Sequence, residues 1–305
     1  PSLGANFRLS RPKVGFYFRT ILFFALAAAP LSAASLTDDR GQTVTIPAKP
    51  KRIAALSPHL AEIVFAAGAG SQLAAVVRYS DYPETVKRVP QVGDASRVDM
   101  ERMLALGPDL VLGWKSGNPA PELARIQALG FPLFVTEPRR LSDIARLLRT
   151  VGTLAGTTAT AEAAATAFEH ELETLRREYS TRPVVRVFYE IWHRPLLTVN
   201  GEHIISDVIE LCGGRNVFAG APLLTPAVSL EAVLSARPDV ILGGSSASAP
   251  GDLELGWRSA PIGALRALPT RYVPPDLIQR QTPRMVAGAR MVCEYLDEVR
   301  RMGKR

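Results

Sequence analysis

One stretch of the sequence occurs twice, 130 residues apart, and this repeat constrains the fold more than any other feature. The two copies are DMERMLALGPDLVLG at residues 99–113 and SLEAVLSARPDVILG at residues 229–243. In each copy a Pro-Asp pair stops a short amphipathic pattern and an apolar run follows, which predicts a helix and then a buried strand of a parallel sheet. The repeat therefore predicts two α/β lobes built to one plan.

A glutamate occupies the same position in both copies of the repeat, Glu101 in the first and Glu231 in the second. The helix dipole favours a negative charge in the first turn by about 0.3–1 kcal/mol, and this effect alone would account for one such glutamate. Two equivalent carboxylates on two similar lobes would also form a symmetric pair of contact points for a two-fold partner. The residues alone leave both interpretations open.

The first 34 residues have the pattern of a secretory signal peptide. Basic residues precede an apolar run at 21–29, and small residues follow it. We expect cleavage after Ala33 or Ala34 and export to a periplasm. Since no cysteine lies at the cleavage site, we expect no lipid anchor.

The net charge gives little reason to expect a nucleic-acid partner. The formal charge of the chain is +7, and removing the four basic residues of the leader would leave about +3 (7 − 4). With 47% hydrophobic and 21% charged residues, the chain has an ordinary globular composition and is long enough for two hydrophobic cores.

The chain contains two cysteines, Cys212 and Cys293. An even number of cysteines in an oxidising compartment favours one disulfide, and two free buried thiols are the alternative. Because there is no C-x-x-C motif, redox catalysis is a poor interpretation of these residues.

The segment between the two predicted lobes, TTATAEAAATAFEHELETLRREY at residues 157–179, has no glycine or proline. It predicts one uninterrupted helix of about six turns. We interpret this helix as a rigid connector, and a surface helix that belongs to one lobe is the alternative. The predicted fold is α/β, with doubly wound parallel-sheet lobes at 35–154 and 183–305 joined by one long rigid helix within 155–182.

Enzyme signatures are missing from the sequence. It has no G-x-x-x-x-G-K-[ST] phosphate loop, no G-x-S-x-G elbow, no H-E-x-x-H and no G-x-G-x-x-G. Its four histidines are scattered, so we expect no metal site, no catalytic residues and no resident cofactor. Ser57 beside His59 is the nearest thing to a nucleophile and a base, and sequence adjacency is not a catalytic geometry.

Aromatic and polar residues gather just after the predicted strands. Ligands of open parallel sheets bind at the carboxyl ends of the strands. Two lobes that face each other, each with a flat apolar surface and a few polar groups, suit a bulky planar ligand with a hydrogen-bonding rim. The residues at these positions are Tyr79, Tyr82 and Trp114 in the first lobe and Trp192, Asp276 and Arg280 in the second.

The sequence resembles the periplasmic binding proteins with a helical backbone (class III) that serve ABC importers, and within them the cobalamin-binding branch. The resemblance extends over about residues 52–293. YSDYP, CGGRNVF and the Asp-x-x-x-Arg-x-x-Pro-Arg pattern are fairly specific to that branch, whereas the repeated Pro-Asp units belong to the whole class. The matching stretches are RIAALSPHLAEIVFAAGAG, YSDYP, MERMLALGPDLVLGW with KSGN, TVNGEHIISDVIELCGGRNVF, VSLEAVLSARPD and PDLIQRQTPR.

The resemblance implies a non-catalytic receptor that captures cobalamin or a related corrinoid between its lobes and delivers it to the membrane subunits of an ABC importer. It implies that Glu101 and Glu231 meet arginines of those subunits, and that Cys212 pairs with Cys293. We expect the receptor to act as a monomer. Tyr79 and Trp114 would contact the corrinoid, and the second lobe would line the pocket with Asp276, Leu277, Ile278, Gln279 and Arg280.

Some positions depart from the pattern of this branch. Ala95 and Thr225 stand where the cobalamin-binding relative has pocket tryptophans, and Leu277-Ile278 replaces an aromatic pair. We expect Trp192 to fill part of the space that these changes leave. The alternatives for the ligand are a truncated corrinoid, haem, a ferric siderophore or a metal, and a more distant alternative is an exported α/β enzyme.

Overall fold

The computed structural model describes residues 1, 2, 4, 34–46, 49–244 and 250–303. All the described helices and strands belong to one unit, Ser32–Arg305. The predicted signal peptide lies outside the described residues, apart from positions 1, 2, 4 and 34. In the described part of the chain, no helix is both long and apolar enough to cross a membrane.

An antiparallel hairpin of β1 (Ala34–Thr37) and β2 (Thr43–Ile46) precedes the first lobe. Its turn is attached to the strand that ends at Thr136. The amide of Asp39 donates to the carbonyl of Val135 at 2.9 Å, and the carboxylate of Asp39 accepts from the amide of Glu137 at 2.6 Å. The hairpin thereby covers one edge of the first sheet.

The first lobe is a four-stranded parallel sheet with helices on both faces. Its strands are β3 (Ile53–Ala55), β4 (Leu73–Val76), β5 (Leu110–Trp114) and β6 (Leu133–Thr136), in the spatial order β4-β3-β5-β6. Its helices are α1 (Pro58–Ala66), α2 (Met100–Leu106), α3 (Ala120–Ala128) and α4 (Leu141–Ala155).

The connecting helix is α5 (Thr158–Tyr179), which confirms the prediction of one uninterrupted helix here. It packs tightly on α4, where a Cβ placed on Gly152 would come within 2.2 Å of the Ala161 Cβ. The guanidinium of Arg149 on α4 binds the carboxylates of Glu162 and Glu169 on α5 at 2.8 and 2.6 Å. The buried residues of α5 belong to one continuous core that also includes residues of both sheets.

The second lobe repeats the plan of the first. Its parallel strands are β7 (Val185–Glu190), β8 (Gly214–Asn216), β9 (Val240–Gly243) and β10 (Thr270–Tyr272), in the spatial order β8-β7-β9-β10. Its helices are α6 (Ile204–Leu211), α7 (Leu230–Ala236), α8 (Pro250–Arg258), α9 (Gly263–Arg266), α10 (Pro275–Ile278) and α11 (Met285–Met302). In both sheets the first strand lies between the second and the third, which confirms the predicted α/β fold of two similar lobes.

The repeated Pro-Asp pair has the same role in both lobes. The carboxylate of Asp109 accepts the backbone amides of Lys51 and Arg52 at 2.8 and 2.9 Å, and that of Asp239 accepts the amide of Arg186 at 2.7 Å. Asp109 thus fixes the beginning of β3 beside β5, and Asp239 fixes the beginning of β7 beside β9. The carboxylate makes these contacts strong, because a charge-assisted hydrogen bond is stronger than a neutral one.

A disulfide joins Cys212, at the end of α6, to Cys293 on α11, with an S–S distance of 2.04 Å. Both cysteines are fully buried in the core. This observation confirms the predicted pairing.

Candidate functional site

Side chains from the two lobes meet at the carboxyl edges of the sheets, around the guanidinium of Arg280. Nη1 of Arg280 donates to Asp81 Oδ1 at 2.6 Å and to Glu62 Oε1 at 3.0 Å, both in the first lobe. Nη2 donates to the carbonyl of Tyr79 at 3.3 Å and lies 3.0 Å from Asp276 Oδ1. Burial opposes the charge of Arg280, but its hydrogen bonds to Asp81 and Glu62 prevail and raise its pKa.

A second arginine of the same segment, Arg284, binds the first lobe beside Arg280. Its Nε and Nη2 donate to the two carboxylate oxygens of Glu62 at 2.9 and 2.8 Å. The guanidinium carbon of Arg284 also lies 4.1 Å from the centre of the Tyr82 ring, which is a cation–π distance. The loop that follows β4 is therefore held by two arginines of the other lobe.

Tyr79 lies in this loop with a left-handed backbone, at φ +67. A residue with a side chain in this region of φ/ψ costs on the order of 1–3 kcal/mol and persists only where the surroundings hold it. The hydrogen bond from Arg280 to the carbonyl of Tyr79 is one such restraint. Tyr79 as a whole is 70% exposed, so its ring is available to a ligand.

Trp114, the last residue of β5, is held from behind by a polar network. Its amide donates to Asn118 Oδ1 at 2.7 Å, and Asn118 Nδ2 donates to the carbonyls of Leu56 and Ala95, each at 2.9 Å. The ring of His59 meets the indole of Trp114 edge to face, with centroids 5.0 Å apart. Trp114 is thus fixed at the carboxyl edge of the first sheet.

Ser57 and His59 lie close enough to resemble a nucleophile and a base, since Ser57 Oγ is 2.7 Å from His59 Nδ1. Both residues are buried, and among the described residues no hydrogen-bond partner reaches His59 Nε2. Burial and the charge of Arg280 lower the pKa of His59 to about 3, so its imidazole is neutral. The pair is therefore enclosed, and in the described part of the chain no acid orients the base.

Trp192 lies in the loop after β7, at the carboxyl edge of the second sheet. It is 41% exposed, and its indole N–H donates to the carbonyl of Arg194 at 2.9 Å. Glu190, at the end of β7, accepts from Trp257 Nε1 at 2.6 Å and lies 3.2 Å from His193 Nδ1. Burial raises the pKa of Glu190 against the opposing effect of His193.

Of the four residues that precede Arg280, two are partly exposed and two contact the rest of the protein. Asp276 is half-exposed and Leu277 is partly exposed, whereas Ile278 is fully buried in the core. Gln279 Nε2 donates to the carbonyl of Gly244 at 2.7 Å and to the hydroxyl of Tyr189 at 3.3 Å, so it ties α10 to the ends of β7 and β9. Contacts of these residues with a ligand stay predictions.

Glu101 and Glu231 occupy equivalent places in the two lobes. Each is the second residue of its helix, α2 or α7, and each is exposed. Hydrogen bonds from its own backbone amide and from Ser229 lower the pKa of Glu231, which keeps its carboxylate ionised. Because each helix leads into the amino end of the next strand, its first turn lies at the carboxyl edge of the sheet.

No group of three or more histidine, cysteine, aspartate or glutamate side chains within the described ranges could hold a metal ion. The cluster around Arg280 combines exposed aromatic rings, two guanidiniums and three carboxylates. Such a set suits non-covalent recognition of a flat polar-rimmed molecule.

The chain belongs to the periplasmic binding protein family, whose family model matches residues 53–255. It is 35% identical over 251 residues to the vitamin B12-binding protein of Vibrio parahaemolyticus, an alignment that includes 82% of this chain and 91% of the relative. Membership in this family confirms the expectation of a binding protein and not an enzyme.

Solved structures of periplasmic binding proteins also match this chain. The crystal structure of the periplasmic vitamin B12 binding protein BtuF of Vibrio cholerae matches with a TM-score of 0.74 and 33% identity, over 82% of this chain and 98% of that one. The periplasmic heme-binding protein RhuT from Roseiflexus sp. RS-1, in its apo form, matches with a TM-score of 0.69 and 27% identity, over 82% and 98% of the two chains.

The sequence pattern assigned no site role to Glu62. Asp81 and Arg284 entered only as parts of motifs, and His59 only beside Ser57 as the nearest approach to a nucleophile and a base. Glu62 stands out in retrospect, because it is a carboxylate within the otherwise apolar helix PHLAEIVFA. A charged residue at a buried position has to be paired, so this glutamate indicates a partner elsewhere in the chain.

Proposed function

We propose that this protein captures cobalamin or a related corrinoid between its two lobes and delivers it to the membrane subunits of an ABC importer. The observation that carries the proposal is the meeting of both lobes at one edge, where Arg280 of the second lobe binds Asp81 and the carbonyl of Tyr79 in the first, and the side chain of Tyr79 is exposed. The names of the vitamin B12-binding relatives, one of them 35% identical, support the same ligand class.

The chemistry of a corrinoid suits these residues. The corrin macrocycle has two flat apolar faces, which aromatic side chains can cover, and a rim of amides that accept and donate hydrogen bonds. The nucleotide loop of cobalamin adds a phosphate, for which an arginine guanidinium is the best-matched partner in a protein. Arg280 is the residue that we assign to this phosphate, with Tyr79, Trp114 and Trp192 at the corrin.

We further propose that the protein works in the periplasm as a monomer, after export by the leader at residues 1–34, with no nucleic-acid partner. Glu101 and Glu231 would meet arginines of the two membrane subunits. Their exposure at the carboxyl edges of the two lobes supports this role.

A haem receptor is the second candidate. The observation that favours it is the match to a heme-binding protein at 27% identity, together with the absence of tryptophan at Ala95 and Thr225. A porphyrin is also flat and apolar, and its propionates could pair with Arg280. The corrinoid remains the stronger proposal because the relatives with higher identity are vitamin B12-binding proteins.

The test is isothermal calorimetry of the purified protein without its leader, using cyanocobalamin, dicyanocobinamide and haemin as separate ligands. We expect nanomolar to micromolar binding of a corrinoid and no comparable binding of haemin. Binding of haemin alone would replace the first candidate by the second. Failure of all three ligands would contradict both.

A further inference from the structure

We propose that Glu62 is a positioning residue of the binding site, which acts through Arg280 and Arg284 to hold the rings of Tyr79 and Tyr82 in place. The inference rests on the proposed corrinoid-binding function. It adds to that function a buried residue that does not itself contact the ligand.

The carboxylate of Glu62 is the common acceptor of both arginines. Its side chain is only 3% exposed, and its two oxygens receive three hydrogen bonds, at 3.0 Å from Arg280 and at 2.9 and 2.8 Å from Arg284. Glu62 comes from α1 of the first lobe, whereas both arginines lie in the second. A buried carboxylate that is paired in this way fixes its partners, because leaving either charge unpaired in the interior is costly.

Each arginine in turn restrains a different part of the loop after β4. Arg280 holds Asp81 by its carboxylate and Tyr79 by its carbonyl, at 2.6 and 3.3 Å. Arg284 lies against the Tyr82 ring at 4.1 Å. Both restraints depend on guanidiniums whose position Glu62 sets.

The consequence for binding is pre-organisation of the aromatic rim. Tyr79 is largely exposed and has a left-handed backbone, so its ring direction depends on contacts made by the backbone of the loop. A ring that is already oriented loses less conformational entropy when a flat ligand stacks on it. We therefore infer that loss of the Glu62 charge weakens ligand binding by loosening Tyr79 and Tyr82.

The first test needs no ligand. Hydrogen exchange, measured by mass spectrometry, would compare the unaltered protein with Glu62→Gln and with a control, Glu84→Gln. Glu84 is a carboxylate near the same loop, but its side chain is 82% exposed and pairs only with Lys87 among the described residues. We expect faster exchange in peptides of residues 78–83 for Glu62→Gln, no change in peptides of 110–114, and no change in the control. Unchanged exchange at 78–83 would overturn the inference.

The second test measures the affinity for dicyanocobinamide, which lacks the nucleotide phosphate. Because this ligand has no phosphate to pair with Arg280, a changed charge around Arg280 does not alter its affinity directly. We expect Glu62→Gln to bind it at least about tenfold more weakly, the loss that corresponds to one charge-assisted hydrogen bond. In a protein that already carries Tyr79→Leu and Tyr82→Leu, the same substitution should have little further effect. If Glu62→Gln weakened binding as much in this double-tyrosine variant as in the unaltered protein, Glu62 would have only a structural role.

The two tests separate the inference from the proposed function. If the unaltered protein bound neither dicyanocobinamide nor cyanocobalamin, the proposed function would fail, while hydrogen exchange would still report whether Glu62 holds the loop. If Glu62→Gln did not fold, Arg284→Lys would take its place, because it keeps the charge and loses the paired geometry. We expect Arg284→Lys, like Glu62→Gln, to exchange faster at residues 78–83 and to bind dicyanocobinamide more weakly. If neither quantity changed, the inference would be contradicted.

Discussion

Arg280 of the second lobe and Asp81 of the first lobe form an ion pair, with Nη1 and Oδ1 2.6 Å apart. The two residues are 199 positions apart in the chain and meet at the carboxyl edges of the sheets. Arg280 is thus both a bridge between the lobes and the residue assigned to the ligand phosphate. A phosphate that reaches Arg280 has to compete with Asp81.

This competition predicts the effect of Asp81→Asn. The variant should bind cyanocobalamin more tightly, by up to about fivefold, because removing a half-exposed ion pair of this kind releases at most about 1 kcal/mol. Its affinity for dicyanocobinamide should not rise, because that ligand has no phosphate and the Arg280–Asp81 pair is one of the restraints on the loop after β4. Calorimetry with both ligands measures the difference, and an equal change for the two would contradict the assignment of Arg280.

The buried imidazole of His59 predicts a specific pH dependence of stability. Burial, together with the charge of Arg280, lowers its pKa from 6.5 to about 3. Between these values the unfolded chain binds a proton that the folded protein does not, so the free energy of unfolding falls as the pH decreases from 6.5 towards 3.

His59→Leu removes the imidazole. The free energy of unfolding of this variant should fall less steeply as the pH decreases from 6.5 towards 3. Urea unfolding of both proteins at several pH values from 7.5 to 4 measures the difference. Identical slopes would show that His59 titrates normally in the folded protein.

The disulfide between Cys212 and Cys293 predicts a large loss of stability on removal. It closes a loop with a sequence separation of 81, for which the chain-entropy estimate is about 4 kcal/mol. Cys212→Ala with Cys293→Ala should lower the free energy of unfolding by roughly this amount, and reductant should then have no further effect. Urea unfolding with and without dithiothreitol provides the measurement. A loss below about 1 kcal/mol would contradict the estimate.

The equivalent placement of Glu101 and Glu231 predicts a separation of transport from binding. Glu101→Ala with Glu231→Ala should abolish uptake of the corrinoid by membranes that carry the importer, yet leave the affinity for the free ligand unchanged. The matched control is Glu84→Ala with Glu254→Ala, which removes one exposed carboxylate from each lobe at other positions. Weaker ligand binding in the Glu101/Glu231 variant would place these carboxylates in the pocket.

The repeated stretch was sufficient to predict the main architecture. Two copies of one helix–strand unit imply two lobes, and the uninterrupted alanine-rich segment implies the helix α5 between them. The pattern did not predict β8, α8 and α10. The reasons are local, since GRN in β8 has no apolar periodicity, PGDLELGWR in α8 contains a proline and two glycines, and α10 has only four residues.

The site was predictable as a location but not as a set of contacts. Strand ends gave the positions of Tyr79, Trp114 and Trp192, because ligands of parallel sheets gather there. The partners of Arg280 lie 199 and 218 residues away, and no local pattern encodes which charges pair across two lobes. Ile278 illustrates the same limit, since only the packing of α10 determines that this side chain is buried.

A crystal structure of the protein with cyanocobalamin tests the central claim most directly. We predict corrin density between Tyr79 and Trp114 of the first lobe and Trp192 of the second, with the nucleotide phosphate within hydrogen-bond distance of Arg280. Density for the ligand at any other surface, with these four residues free of contact, would contradict the account.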